Sequence, residues 1–155
     1  MTSQEPAGLL QDKVVFVTGA ARGQGRAHAV RFAEEGADVI AVDLCDQIAS
    51  VAYPMATPED LEETVRLVEK TGRRIVAERG DVRDRTRLAD VVARGIDEFG
   101  RLDFVIANAG ILPAAGRQGR EISAFTDAIA VMLNGVYFTI DAALPALLSN
   151  PAGGA

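Results

Sequence analysis

Val14-Val15-Phe16-Val17-Thr18-Gly19-Ala20-Ala21-Arg22-Gly23-Gln24-Gly25 is an apolar, mostly β-branched run that passes through glycines into a helix-forming segment. Such an unbroken apolar run suits a strand covered on both faces. Gly19 lets the chain leave that strand in a tight turn, and Gly23 and Gly25 remove side chains where backbone N–H groups must approach a ligand. The helix that follows points its positive N-terminus at the same place, so the stretch reads as a phosphate cradle. Its spacing excludes two other phosphate loops. A Walker loop needs Lys and Ser/Thr after the later glycine, where Arg26 and Ala27 stand, and the common GxGxxG fingerprint needs glycine at His28. A glycine-rich surface turn without a ligand is the plain alternative.

Further apolar runs at 39–42, 74–77 and 104–107 alternate with amphipathic stretches, the pattern of βα units on a parallel sheet. Thr57-Pro58-Glu59-Asp60 reads as a helix start, with Thr57 as N-cap and Pro58 at the first helical position. Leu61, Val65 and Val68 then share a face, and Gly72 stops the helix. Leu88, Val92, Gly95 and Phe99 repeat the spacing up to Gly100. A last helix is expected over 123–148, burying a stripe of Phe125, Ile129, Met132, Val136 and Ile140, with Pro145 bending its end. Residues 1–12 read as a polar tail, 13–150 as one domain and 151–155 as a frayed terminus.

The 155 residues carry 22 acidic and 16 basic side chains, a net charge of -6 that argues against a general grip on nucleic acid or anionic membrane. Cys45 is the only cysteine and His28 the only histidine, so one chain can build neither a disulfide framework nor a Cys/His metal site. A reducing, cytoplasmic compartment is expected. The first residues lack an apolar signal core, and no segment nears about 20 uninterrupted apolar residues, so neither export nor a membrane span is expected.

Asp43 closes the second strand about 20 residues beyond the glycine loop, where a carboxylate can accept hydrogen bonds from both adenine-ribose hydroxyls. It would repel a 2′-phosphate, which favours NAD. Arg22 argues the other way, since a basic residue before the second glycine suits a 2′-phosphate; the carboxylate outweighs it. The third and fourth strands end in Gly80-Asp81-Val82 and Asn108-Ala109-Gly110, at the same carboxyl edge of the sheet.

TGxxxGxG, an Asp after the second strand, Asp-Val after the third and Asn-Ala-Gly after the fourth, in this order, resemble the short-chain dehydrogenases/reductases over 13–148. The resemblance implies an α/β fold: a Rossmann-type doubly wound parallel sheet in the order 3-2-1-4, helices on both faces, lacking its C-terminal strands in this chain. It places Asp81 and Val82 against adenine and Asn108, Ala109 and Gly110 beside the nicotinamide-side ribose. With Gly19, Arg22, Gly23, Gln24, Gly25, Asp43 and Leu44 these complete the expected cofactor-binding set. Asn108 has a structural alternative, tying the glycine loop to the fourth strand.

Roughly a dozen residues separate Asp43 from the Thr57 cap, where such loops usually have 2 to 6, so the segment is an insertion. With Gly-Ala-Ala-Arg-Gly-Gln-Gly-Arg and Met-Leu-Asn-Gly-Val-Tyr-Phe, it resembles the carveol-dehydrogenase-like, mycofactocin-associated branch of that family. That likeness implies NAD that exchanges poorly and secondary alcohol or ketone substrates. Ile48, Val51, Tyr53 and Met55 suggest burial over the nucleotide, a plain surface loop being the alternative. Cys45 reads as a packed small residue rather than a nucleophile.

The family resemblance also implies a catalytic Tyr-x-x-x-Lys with a preceding Ser. Tyr53 is followed at that spacing by Thr57 and Tyr137 by Asp141, so neither fits, and Tyr137 reads as a helix packing residue. The family's further catalytic Asn aligns with Met132, read as a core residue, which leaves Asn134 a doubtful substitute. The expectation is an NAD-dependent oxidoreductase of small or terpenoid-like alcohols and ketones, a homo-oligomer (dimer or tetramer) when complete. This chain would hold its cofactor half and be inactive alone. The run 104–107 would form an unpaired sheet edge that, with the last helix, drives association. The alternatives are a non-catalytic NAD-binding module or fragment, and an α/β domain without nucleotide.

Overall fold

The computed structural model describes residues 8–112 and 121–155. Four parallel strands, β1 (Val14–Thr18), β2 (Asp38–Asp43), β3 (Ile75–Arg79) and β4 (Phe104–Ile106), lie in the order β3-β2-β1-β4. The order, the parallel sense and the βα alternation are those expected. β3 starts one residue later than the expected run and reaches Arg79, while β4 is the shorter 104–106.

Alternation along β1 and β2 shows why the sheet is doubly wound. Val14, Phe16, Ile40 and Val42 pack with Leu88, Val91 and Val92 of α3 (Arg85–Phe99) on one face. Val15, Val17, Val39 and Ala41 pack with Ala29 and Ala33 of α1 (Gly23–Glu34) and Val68 of α2 (Pro58–Lys70) on the other. Every residue of β1 is therefore buried, including Thr18. Thr57 caps α2 through a full capping box with Asp60, as its sequence predicts. Gly100 ends α3 in the left-handed conformation.

The last helix is continuous but not uniform. α4 (Ile122–Ile129) passes through a π-helical turn (Ala130–Asn134) into α5 (Gly135–Ser149), which contains Pro145 and runs past it. Its buried face is the reverse of the expected one. Ala124, Val131, Gly135, Thr139 and Ala143 face inward, whereas Phe125, Ile129, Met132 and Ile140 of the expected stripe are exposed, as is Tyr137, and Val136 is half-buried. Small residues let the helix come close to its neighbours: a Cβ on Gly135 would lie 2.7 Å from Val82 Cγ2. Met132 is thus not a core residue, nor Tyr137 a packing one. By length and composition alone, Ile122–Ser149 would also qualify to cross a membrane, contrary to expectation, yet one face of it packs on α3.

Residues 1–7 of the expected tail lie outside the described residues, while Leu10 and Asp12 donate backbone hydrogen bonds to Glu35 and Gly36. Residues 151–155 are exposed as expected of a frayed end, but the last one is tied down. Val105 N donates to Ala155 O (2.8 Å) and Ala155 N to Asp103 O (2.9 Å), so the β4 edge is not wholly unpaired.

Candidate functional site

The carboxyl ends of the strands open into a cavity of about 330 Å³. Every residue expected at the nucleotide site lines it: Gly19, Arg22, Gly23, Gln24 and Gly25 from the loop, Asp43 and Leu44 after β2, Asp81 and Val82 after β3, and Asn108, Ala109 and Gly110 after β4. Asn134 does not; it is exposed on the π-helical turn.

The loop is built from backbone constraints. Gly19 (φ +68°) turns the chain out of β1, and a Cβ there would meet Ala109 Cα at 2.8 Å. Gly25 approaches closer still, since an added Cβ would sit 1.9 Å from Gly19 O. Gly23 (φ +58°) has open space instead, with no atom of the described residues within 4 Å of such a Cβ. Asn108 Nδ2 donates to Thr18 O (2.9 Å) and to Gly19 O (3.3 Å), while Thr18 Oγ1 accepts from the Asn108 and Ala109 amides, both at 3.1 Å. Asn108 therefore has the structural role that the sequence left open.

Asp43 is fixed rather than loose. Its Oδ2 accepts from Ala21 N (2.9 Å) and its Oδ1 from Cys45 N (3.1 Å). Cys45 is buried, and burial together with the neighbouring Asp43 charge pushes its thiol up to about 12, so it is not a nucleophile at neutral pH. At Asp81 burial opposes the charge, but hydrogen bonds from the Arg83 side chain and amide outweigh it and hold the carboxyl below its usual value.

Ile48, Tyr53, Met55, Ala56, Gly80, Ile111 and Val131 also line the cavity; of these the sequence suggested only Ile48, Tyr53 and Met55, as apolar cover over the nucleotide. The first four come from the insertion, which crosses the site as a strap. Tethers hold it along its length. Arg22 Nη2 donates to Pro54 O (2.8 Å), Leu112 N to Tyr53 Oη (3.0 Å), and Ser50 Oγ to Asp127 Oδ2 (2.6 Å). Arg22 is thus engaged with the strap.

The arrangement fits a dinucleotide. The first-turn amides of α1 have no carbonyl within the helix to bond, and Arg22 supplies no side-chain cap to use them. The space over Gly23 is the cradle that a Cβ would fill, and an acceptor-only carboxylate stands beside it.

The short chain dehydrogenase profile matches residues 13–155. The chain belongs to the short-chain dehydrogenase/reductase family. Among its relatives in that family are an uncharacterized oxidoreductase of Mycobacterium tuberculosis, 55% identical over 94% of this chain and 52% of that protein, and the (-)-trans-carveol dehydrogenase of Rhodococcus erythropolis, 40% identical over 94% and 53%. The crystal structure of carveol dehydrogenase from Mycobacterium avium in complex with NAD matches with a TM-score of 0.91 at 47% identity, covering 95% of this chain and 53% of that one. The chain spans about half the length of these short-chain dehydrogenase/reductase relatives.

Proposed function

We propose that the cavity is the NAD(H) site of an oxidoreductase interconverting secondary alcohols and ketones, small and hydrophobic or terpenoid-like, of which this chain is the cofactor half. The observation that carries the reading is Asp43, held by two backbone N–H groups beside an uncapped helix N-terminus. Its carboxylate would accept from the adenine-ribose hydroxyls and disfavour a 2′-phosphate, and the first-turn amides of α1 would hold the pyrophosphate. Asp81 and Val82 would face adenine, and Asn108, Ala109 and Gly110 the nicotinamide-side ribose. The bound nicotinamide supplies the hydride acceptor or donor. Likeness to a carveol dehydrogenase in complex with NAD and to a (-)-trans-carveol dehydrogenase supports both nucleotide and substrate class.

The tethered strap supports a place in the mycofactocin-associated branch, with NAD that leaves slowly. The exposed apolar face of α4 and α5 supports a homo-oligomer, dimer or tetramer, because each large apolar side chain buried there gains about 1.5–3 kcal/mol. A cytoplasmic location fits a single buried cysteine and an acidic surface.

The test passes the full-length protein through gel filtration, denatures one portion to release its nucleotide, and assays a second, native portion for turnover of a cyclic terpenoid alcohol such as carveol. Retained NAD with oxidation of the alcohol is the expected result. Retained NAD without any turnover would favour the non-catalytic module, and NADP in place of NAD would overturn the reading of Asp43.

A further inference from the structure

The carbonyls of the glycine loop are held from outside the cavity. Thr64 of α2 is completely buried, and its hydroxyl donates to Ala20 O at 2.9 Å, with Ala21 O at 3.2 Å. Arg26 of α1 donates from Nε to Thr64 Oγ1 (3.0 Å) and from Nη2 to Ala21 O (2.5 Å) and Asp60 O (2.7 Å). None of Thr64, Arg26 and Asp60 lines the cavity. A buried hydroxyl is costly unless its hydrogen bonds are made, and valine would fill the same volume without that demand. The hydroxyl's one proton is shared among the two loop carbonyls and Asp60 O (3.3 Å), one turn back on its own helix, and the loop contacts are the shorter ones.

In a trans peptide the C=O and the following N–H point in opposite directions. Holding Ala21 O on the α2 side therefore turns the Arg22 amide the other way, next to Gly23 and the first turn of α1. Reversing that peptide would put a carbonyl dipole where an anion has to sit, exchanging attraction for repulsion at the helix N-terminus.

We propose that Thr64 and Arg26 are positioning residues for the pyrophosphate: by fixing the Ala21 carbonyl on the α2 side, they turn the Arg22 amide toward the anion. This rests on the cavity being a dinucleotide site. A brace that only joined α1 to α2 would act on stability and on all ligands alike, so the split between ligand fragments separates the two roles.

The experiment titrates the full-length protein, first freed of any retained nucleotide by exhaustive dialysis and checked by absorbance, with ADP-ribose, which carries the pyrophosphate, and with adenosine, which lacks it. Thr64→Val and Arg26→Met each weaken ADP-ribose about tenfold, as expected for misplaced hydrogen-bond donors, and leave adenosine within about twofold. Thr64→Ser restores ADP-ribose binding. If Thr64→Val does not fold, Arg26→Met decides, its fold checked by circular dichroism. Equal weakening of both ligands, or unchanged ADP-ribose affinity in a folded variant, overturns the proposal. A wild-type protein that binds neither ligand overturns the dinucleotide reading instead.

Discussion

Replacing Gly23 by alanine should remove most nucleotide affinity from a protein that still folds, whereas the same change at Gly25 should damage the fold as well. At Gly23 an added methyl meets no atom of the described residues within 4 Å, so the structural penalty there is that of the backbone at φ +58°. Holding an L-residue in the left-handed region costs about 1–2 kcal/mol. Against a typical domain stability of roughly 5–15 kcal/mol the variant stays folded, with melting lowered by roughly 2–8 °C. The methyl would stand at the cavity wall where the pyrophosphate has to approach, and affinity should fall about tenfold or more, about 1.4 kcal/mol at the least. At Gly25 the methyl would lie 1.9 Å from Gly19 O and 2.7 Å from Asn108 Nδ2, the atom that ties the loop to the end of β4. Nothing there can yield without moving the exit of β1, so about 1–3 kcal/mol of overpacking adds to a lost hydrogen bond of about 1 kcal/mol. Thermal melting by circular dichroism and calorimetric titration with NADH separate the two effects. A folded Gly23→Ala protein that binds NADH as tightly as the wild type would refute the reasoning, and so would a Gly25→Ala protein that melts where the wild type does.

Asp43→Ala should lose the preference for NADH over NADPH in parallel titrations; an unchanged ratio would show that the carboxylate does not discriminate. At Asp103 burial opposes the charge, but hydrogen bonds from Arg101, the Val14 amide and Asn150 hold the carboxyl below its usual value. That stabilisation is complete above the unfolded value of about 3.9 and is lost as pH falls through the lowered folded value. The stability gap between wild type and Asp103→Asn should therefore be constant above that range and close below it, and denaturant melts showing the same gap throughout would contradict this. The 155-residue polypeptide should bind nucleotide without dehydrogenase turnover, because no Tyr-x-x-x-Lys occurs in it; turnover of any secondary alcohol by the purified chain would require another acid/base. Lysine at both Leu133 and Tyr137, exposed on α4–α5, should dissociate the full-length oligomer in sedimentation experiments, and an unaltered mass would place the interface elsewhere.

Strands, glycine loop and helix caps were legible because their signals are local. The Thr57 box lies within one turn, and the apolar run of β1 needs no partner to be recognised. The site residues were legible for a different reason, since a parallel sheet brings the ends of β1, β2, β3 and β4 to one edge wherever their helices lie. What the sequence hid depends on distant contacts. Arg22 reads as a phosphate ligand until Pro54, far along the chain, is seen to accept its hydrogen bond. Thr64 sits between Leu61 and Val68 on the buried face of α2, and only the proximity of Ala20 gives its hydroxyl a purpose. The last helix was turned the wrong way because it is apolar on much of its surface. Periodicity finds a stripe of large residues, but close approach to α3 and Val82 selected the small ones, Gly135, Thr139 and Ala143. The strap's part in the cavity was foreseen only as apolar cover; that Ile48 and Val51 are buried while Tyr53 reaches Leu112 is tertiary information.

The central claim is that the cavity holds one NAD(H) per chain at the Gly19–Gly25 loop and Asp43. Stoichiometry measures it most directly: nucleotide released on denaturation of the purified full-length protein is summed with NADH taken up by the folded protein in a fluorescence titration. The account predicts one equivalent per chain, displaced by ADP-ribose and bound about tenfold or more weakly in a folded Gly23→Ala protein. A folded wild-type protein that neither releases nucleotide nor takes up NADH would contradict it.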